Sequence, residues 1–320
     1  MNSEQPDSER PPGIAAAAKR IFFSPYVAAI LAMFFWAGST IVVRGVREDV
    51  PPMGLSFWRT LLGFVIFLPF VIKPYRRQTR EFWASFKILA LLTFLLMVGG
   101  NAVLFLSLQY TIAINAAVIN SVEPVFIVVL AWLLFRDPFS KRQGFGVAVS
   151  LAGVLVLIST GSLEELSRMN FNRGDLMVTG AYLSWALYAV LMRKIPYGLD
   201  HRLVLAAILG FGALFMLPIY GLETMISRPM PFSWTSVFSV TILAVFSSVL
   251  GILLWNYAIS QFGPGRASLF LHLIPAFTVL LAIAILGEAL QQFHVTGVVL
   301  IGIGIYFSSL SLGAQKSAEN

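Results

Sequence analysis

The 320-residue chain contains no cysteine, which excludes thiol nucleophiles, thiolate metal sites and disulfides. Histidine is nearly absent: His201, His272 and His294 are the three in the chain, a poor basis for a histidine-built metal centre. No glycine-rich phosphate loop ending in Lys-Ser or Lys-Thr occurs, so nothing in the sequence would hold ATP to drive a pump. Paired carboxylates at a membrane face, such as an Asp-rich motif, are missing as well, so the chain does not read as a membrane enzyme. No cofactor or metal is expected. Charge is also scarce. Charged residues make up 12% of the chain, against about 25% in a soluble domain. What is present is apolar: 58% hydrophobic residues and a mean hydropathy of +0.83. That composition is that of an all-α, polytopic membrane protein whose main solvent is lipid. The net charge of +7 then reads as basic residues gathered in cytoplasmic loops rather than as a nucleic-acid footprint.

A helix needs about 20 apolar residues to cross the hydrocarbon core. Ten stretches qualify: about 26–43, 54–72, 87–108, 112–134, 144–159, 175–192, 203–222, 235–260, 266–286 and 293–311. Breakers separate them, among them Pro51-Pro52, Pro138, Pro196, Pro229-Met230-Pro231 and Gly263-Pro264-Gly265. Residues 1–25 read as a disordered cytoplasmic tail and 312–320 as a second one. The apolar run after Lys19-Arg20 is long for a signal peptide and reads as the first span. With both termini inside, sixteen basic residues fall in inner segments and five in outer ones, namely Arg44, Arg47, Arg168, Arg173 and Arg228. That bias fits the positive-inside rule and a cytoplasmic (inner) membrane location. Arg59 alone is left within a span.

The chain also repeats itself. At an offset of 151 residues Ala116, Pro124, Phe126, Gly146 and Gly153 meet Ala267, Pro275, Phe277, Gly297 and Gly304, and Asp137 meets Glu288. At an offset of 149, Trp36-Ala37 meets Trp185-Ala186 and Arg44 meets Arg193. Matches of tryptophan, arginine and proline in the same order are hard to obtain by chance. They divide the chain into two five-helix units, 26–160 and 174–311. Five is odd, so the second unit enters the membrane from the opposite side. Inverted repeats around a central cavity are the architecture of secondary transporters.

The residues Phe35-Trp36-Ala37-Gly38, Arg59, Ala116-Ala117, Glu123-Pro124 and Gly287-Glu288 carry a resemblance to the drug/metabolite transporter superfamily, in its ten-helix EamA-type branch. The resemblance covers about 26–311; Arg136-Asp137 stands where the family usually has Gly-Glu. It implies two inverted five-helix units and transport of small organic metabolites or drugs, commonly export by alternating access. The alternative is a flippase for lipids or lipid-linked substrates; a non-transporting scaffold is a further one. The expected partners are a small-molecule substrate, membrane lipid and, as a candidate coupling ion, protons. No nucleic acid is expected, and the choice between monomer and homodimer stays open.

Ionisable residues inside a bilayer are functional candidates by default. Glu123 lies roughly 16 Å into a core of about 30 Å, near the midplane, and Arg59 roughly 8 Å in. Glu123 is a candidate proton or cation site, or else a structural acid paired with Arg59. Arg59 could anchor an anionic substrate group, or snorkel to the outer rim. His272 could join a proton relay, or be a neutral, hydrogen-bonded core histidine. Pro124 and Pro275, at matching places in the two halves, are candidate kinks or hinges. Trp36, Asn101, Asn115, Asn120, Ser121, Trp185, Tyr188, Trp255, Asn256 and Tyr257 are candidate lining residues, with plain packing as the alternative for each. Trp83 and Trp234 read as interface anchors, and the glycines of the fifth and tenth spans as close-packing positions.

Overall fold

Apolar segments bounded by proline and glycine fold as helices because lipid offers no partner for backbone N–H and C=O groups. A computed structural model describes residues 24–107, 110–111, 113–137, 140–162, 164, 172–286 and 290–309. Most of the expected tail 1–25, the tail 312–320, Pro138 and Gly287-Glu288 lie outside the described residues, as does the side chain of Asn115. Every regular element among the described residues is helical: besides the short helix Thr79–Ala84 these are α1 (Pro25–Val46), α2 (Pro52–Arg77), α3 (Phe86–Ser107), α4 (Ala113–Ser121), α5 (Glu123–Phe135), α6 (Lys141–Ile158), α7 (Arg173–Lys194), α8 (His201–Ile226), α9 (Trp234–Phe262), α10 (Pro264–Ile285) and α11 (Gln292–Ser309).

Eight of these helices are long and apolar enough to cross a membrane: α1, α2, α3, α6, α7, α8, α9 and α10. The fourth expected span is not one helix. It breaks at Val122 into α4 and α5, because Pro124 has no N–H to continue the ladder. The last expected span is represented by the shorter apolar stretch Gln292–Phe307. Helix starts follow their caps. Pro25 and Pro52 open α1 and α2. Asn172 and Asp175 form a capping box on α7, and Ser140, Asp200 and Ser233 cap α6, α8 and α9.

Three contacts organise the bundle. The first half of α8, Leu203–Leu209, is buried on every side and forms the centre of the main core. α2 and α8 are tied at both ends. Glu223 accepts hydrogen bonds from the N–H of Met53 (3.0 Å) and Gly54 (2.7 Å), satisfying the exposed donors at the start of α2. At the other end Gln78 accepts from the N–H of Asp200 (2.9 Å) and donates to the carbonyl of Gly198 (2.8 Å). α6 and α11 lie backbone against backbone. A Cβ on Gly153 would fall 2.7 Å from the Gly297 oxygen, and one on Gly304 2.5 Å from that of Gly146, so only glycine permits this approach.

Candidate functional site

The two repeat-related tryptophans each spend their indole N–H on the opposite half of the chain. Trp36, midway along α1, donates to the carbonyl of Ser247 in α9 (3.3 Å). Trp185 of α7 donates to the carbonyl of Leu96 in α3 (3.0 Å). Both acceptors sit in π-helical stretches, Phe94–Ala102 and Leu243–Gly251, nine residues each and 149 residues apart. A π turn widens the helix and loosens its ladder, which exposes a carbonyl for a side chain to use. Glycine makes room for each indole. A Cβ on Gly251 would sit 2.7 Å from Trp36 Nε1, and one on Gly100 would overlap Trp185 Nε1 outright. Beside Trp185, Ser184 Oγ donates to the Leu95 carbonyl (2.9 Å).

Ser247 is also where Arg59 ends. The guanidinium does not run to the outer rim; its Nη1 donates to Ser247 Oγ at 3.4 Å, near the middle of α9. Trp255, buried, lies with its ring centroid 5.7 Å from that of Trp36. Next to it, Asn256 accepts a hydrogen bond from the Tyr188 hydroxyl (2.6 Å) through Oδ1. Among the described residues Asn256 Nδ2 has no hydrogen-bond partner, and neither does Ser56 Oγ, one turn before Arg59 on α2. Arg59, Trp36 and Trp255 are thus linked through Ser247 and one ring contact, and Tyr188 pairs with Asn256, the residue after Trp255 on α9. Asn101 stands apart, its amide 3.4 Å from Met97 Sδ of its own helix. Asn120 makes no side-chain hydrogen bond among the described residues.

Glu123 begins α5 directly after the break at Val122 and is only 6% exposed. No hydrogen bond or ion pair to its carboxyl group exists among the described residues, and none joins it to Arg59. Ile119 and Phe126, one turn to either side, pack on Val178, Tyr182 and Trp185, so this face of the broken helix looks towards α7. The break also frees carbonyls. Val125 N bonds back to Val122 O (2.9 Å) rather than to Ser121 O, and Ser121 O is taken instead by His272 Nε2 (2.9 Å). A carbonyl can only accept, so Nε2 carries the proton and Nδ1 accepts from Ser150 Oγ (2.5 Å). His272 ends a 3₁₀ turn, Ser268–His272, that precedes Pro275 much as the Val122 break precedes Pro124.

Outside this region Asp137 and Arg193 form an ion pair (2.6 Å) joining the end of α5 to the end of α7. Sequence reasoning did not single out Ser247, Ser150, Ser56, Gly100 or Gly251. The two glycines carried a signal, since they stand 151 residues apart, like the other repeat pairs.

The model of the EamA-like transporter family matches the chain twice, over residues 23–159 and 172–310. An uncharacterized transporter of Archaeoglobus fulgidus is 28% identical over 281 residues, covering 87% of this chain and 95% of its own. A probable amino-acid metabolite efflux pump of Salmonella typhimurium is 22% identical over 301 residues, covering 91% and 96%. A solved crystal structure of a protein superposes with a TM-score of 0.71 at 16% identity, covering 89% of this chain and 96% of that one; the likeness is one of fold.

Proposed function

The chain belongs to the EamA-like transporter family, and from that membership we propose that it exports small organic metabolites by alternating access between two inverted five-helix halves. It is a multi-pass membrane transporter and not an enzyme. The proposed halves are 26–160 and 174–311, ten spans in all, in the inner membrane with both termini cytoplasmic. The observation that carries the reading is the reciprocal pair of indole bonds. Trp36 to Ser247 and Trp185 to Leu96 relate donors 149 residues apart and acceptors 151 residues apart, each bond crossing from one half to the other. Two like units holding each other through matched contacts can exchange roles, which is what alternating access requires. The two separate matches to one family model support the duplication.

For the substrate, the likeness to the probable amino-acid metabolite efflux pump of Salmonella typhimurium favours amino acids and their derivatives. For the driving force, Glu123 supports proton coupling. A carboxyl group at mid-depth with no hydrogen bond or ion pair among the described residues carries a desolvation cost that protonation removes, so its protonation can be tied to the transport cycle.

Purified protein in liposomes, tested for efflux of an amino-acid metabolite panel with and without a pH gradient, checks this. Gradient-dependent flux of at least one compound is expected; lipid scrambling without any such flux would favour a flippase instead. Cysteine labelling at exposed Tyr197 from inside only, and at exposed Phe232 from outside only, checks the orientation.

A further inference from the structure

We propose that Arg59 is the anchor for a carboxylate on the transported molecule, and that the cargo is a small organic monoanion with a flat apolar body. This rests on the transport reading above and adds the chemical class of its substrate.

The guanidinium is held at depth, not at the rim: Ser247 lies midway along the helix Trp234–Phe262, and its carbonyl is already bonded to Trp36. An arginine presents five N–H donors in a rigid fork. Among the described residues, one of them has a protein acceptor, the Ser247 hydroxyl, at the long distance of 3.4 Å. No acid pairs with it among the described residues. Glu123 makes no ion pair among the described residues, and Glu223, the acid that does meet α2, is occupied by the N–H groups of Met53 and Gly54. A cation kept inside a span without a counter-charge is costly, and a two-oxygen anion on the free side of the fork removes that cost. One guanidinium balances one negative charge, so a monocarboxylate fits where a dianionic phosphate would leave charge unbalanced.

The surroundings describe the rest of the molecule. Trp36 shares Ser247 with the cation, and its ring, with a centroid 5.7 Å from that of Trp255, offers an aromatic surface to a flat body. Ser56 Oγ, one turn from Arg59, and Asn256 Nδ2 are buried side-chain atoms without a hydrogen-bond partner among the described residues.

The test uses the purified full chain in lipid nanodiscs, with phenylacetate and its neutral isostere phenylacetamide as probes, read by intrinsic tryptophan fluorescence and by thermal stabilisation. Wild-type protein should bind phenylacetate saturably and at least about tenfold more tightly than the amide. Arg59→Gln should bring that ratio to about one. Arg59→Lys, which keeps the charge and serves if the glutamine variant misfolds, should retain a reduced preference. Equal binding of the two probes by wild type, no saturable binding of phenylacetate, or an unchanged preference in either variant would overturn the proposal. Carboxylate binding without flux in liposomes would leave the anchor standing and sink the transport reading. Flux of neutral or cationic compounds with no carboxylate preference would do the reverse.

Discussion

His272 donates its Nε2 proton to the carbonyl of Ser121, the residue that occupies its own place 151 positions earlier in the chain. The bond ties the first stretch matched by the family model to the second. Its cause is local. Pro124 disrupts the helix after Ser121 and leaves the carbonyl unclaimed; a 3₁₀ turn before Pro275 delivers the imidazole.

His272→Ala should lower stability by about 2–4 kcal/mol, because two interior polar groups lose their partner. His272→Gln, whose amide can still donate to the carbonyl, should recover part of the loss. Thermal unfolding in detergent measures both. pH-driven transport by folded His272→Gln should stay at the wild-type level, since both ring nitrogens are engaged in fixing structure. Loss of pH coupling with normal stability would instead assign the histidine to a proton relay.

Gly100→Ala should destabilise the protein by about 2–3 kcal/mol and Gly251→Ala by less, because the added methyl overlaps Trp185 in the first case and crowds Trp36 at 2.7 Å in the second. Adding Trp185→Phe, which removes the indole nitrogen from that space, should rescue Gly100→Ala in part. A double-mutant cycle on melting temperature would show the coupling.

Arg136→Gly should raise stability by up to about 1 kcal/mol. Arg136 closes α5 with a left-handed backbone (φ 58), a conformation that costs a residue with a Cβ about that much. The gain is reduced by loss of the Arg136 guanidinium over the Trp132 ring, 5.5 Å from its centroid. A melting temperature at or below wild type would show that this contact outweighs the strain.

Glu123→Gln imitates a permanently protonated acid. The variant should fold, lose pH-driven accumulation and still exchange substrate across the liposome membrane. Exchange and net uptake are measured on the same preparation. Wild-type pH-driven transport in well-folded variant protein would end the coupling hypothesis.

The fold's membrane character, its eight helices of spanning length and the duplication matched by the family model were legible because each rests on local or periodic features of the chain. Apolar length sets a span, proline and glycine set its ends, and landmarks at offsets of 149 and 151 persist whatever the halves do in space. The fourth span is the boundary case. Pro124 announced a kink, but whether the helix bends or separates into α4 and α5 depends on what accepts the freed backbone groups, and His272 lies 151 residues away.

What the sequence by itself determined was the membrane class, the duplication and the short roster of polar residues within apolar segments. Partnership among those residues was decided by tertiary structure alone. By charge, Arg59 and Glu123 form the natural pair; in the folded chain Arg59 reaches Ser247, and Glu123 faces α7 with no ion pair among the described residues. By type, Trp36 and Trp185 are stacking surfaces; in the folded chain each also holds a carbonyl of the other half. The physical reason is that hydropathy and helical period fix how a segment meets lipid. Which helix it lies against is set by close approach at positions such as Gly100, Gly251 and Gly153, where the missing side chain has meaning only once the neighbour is in place.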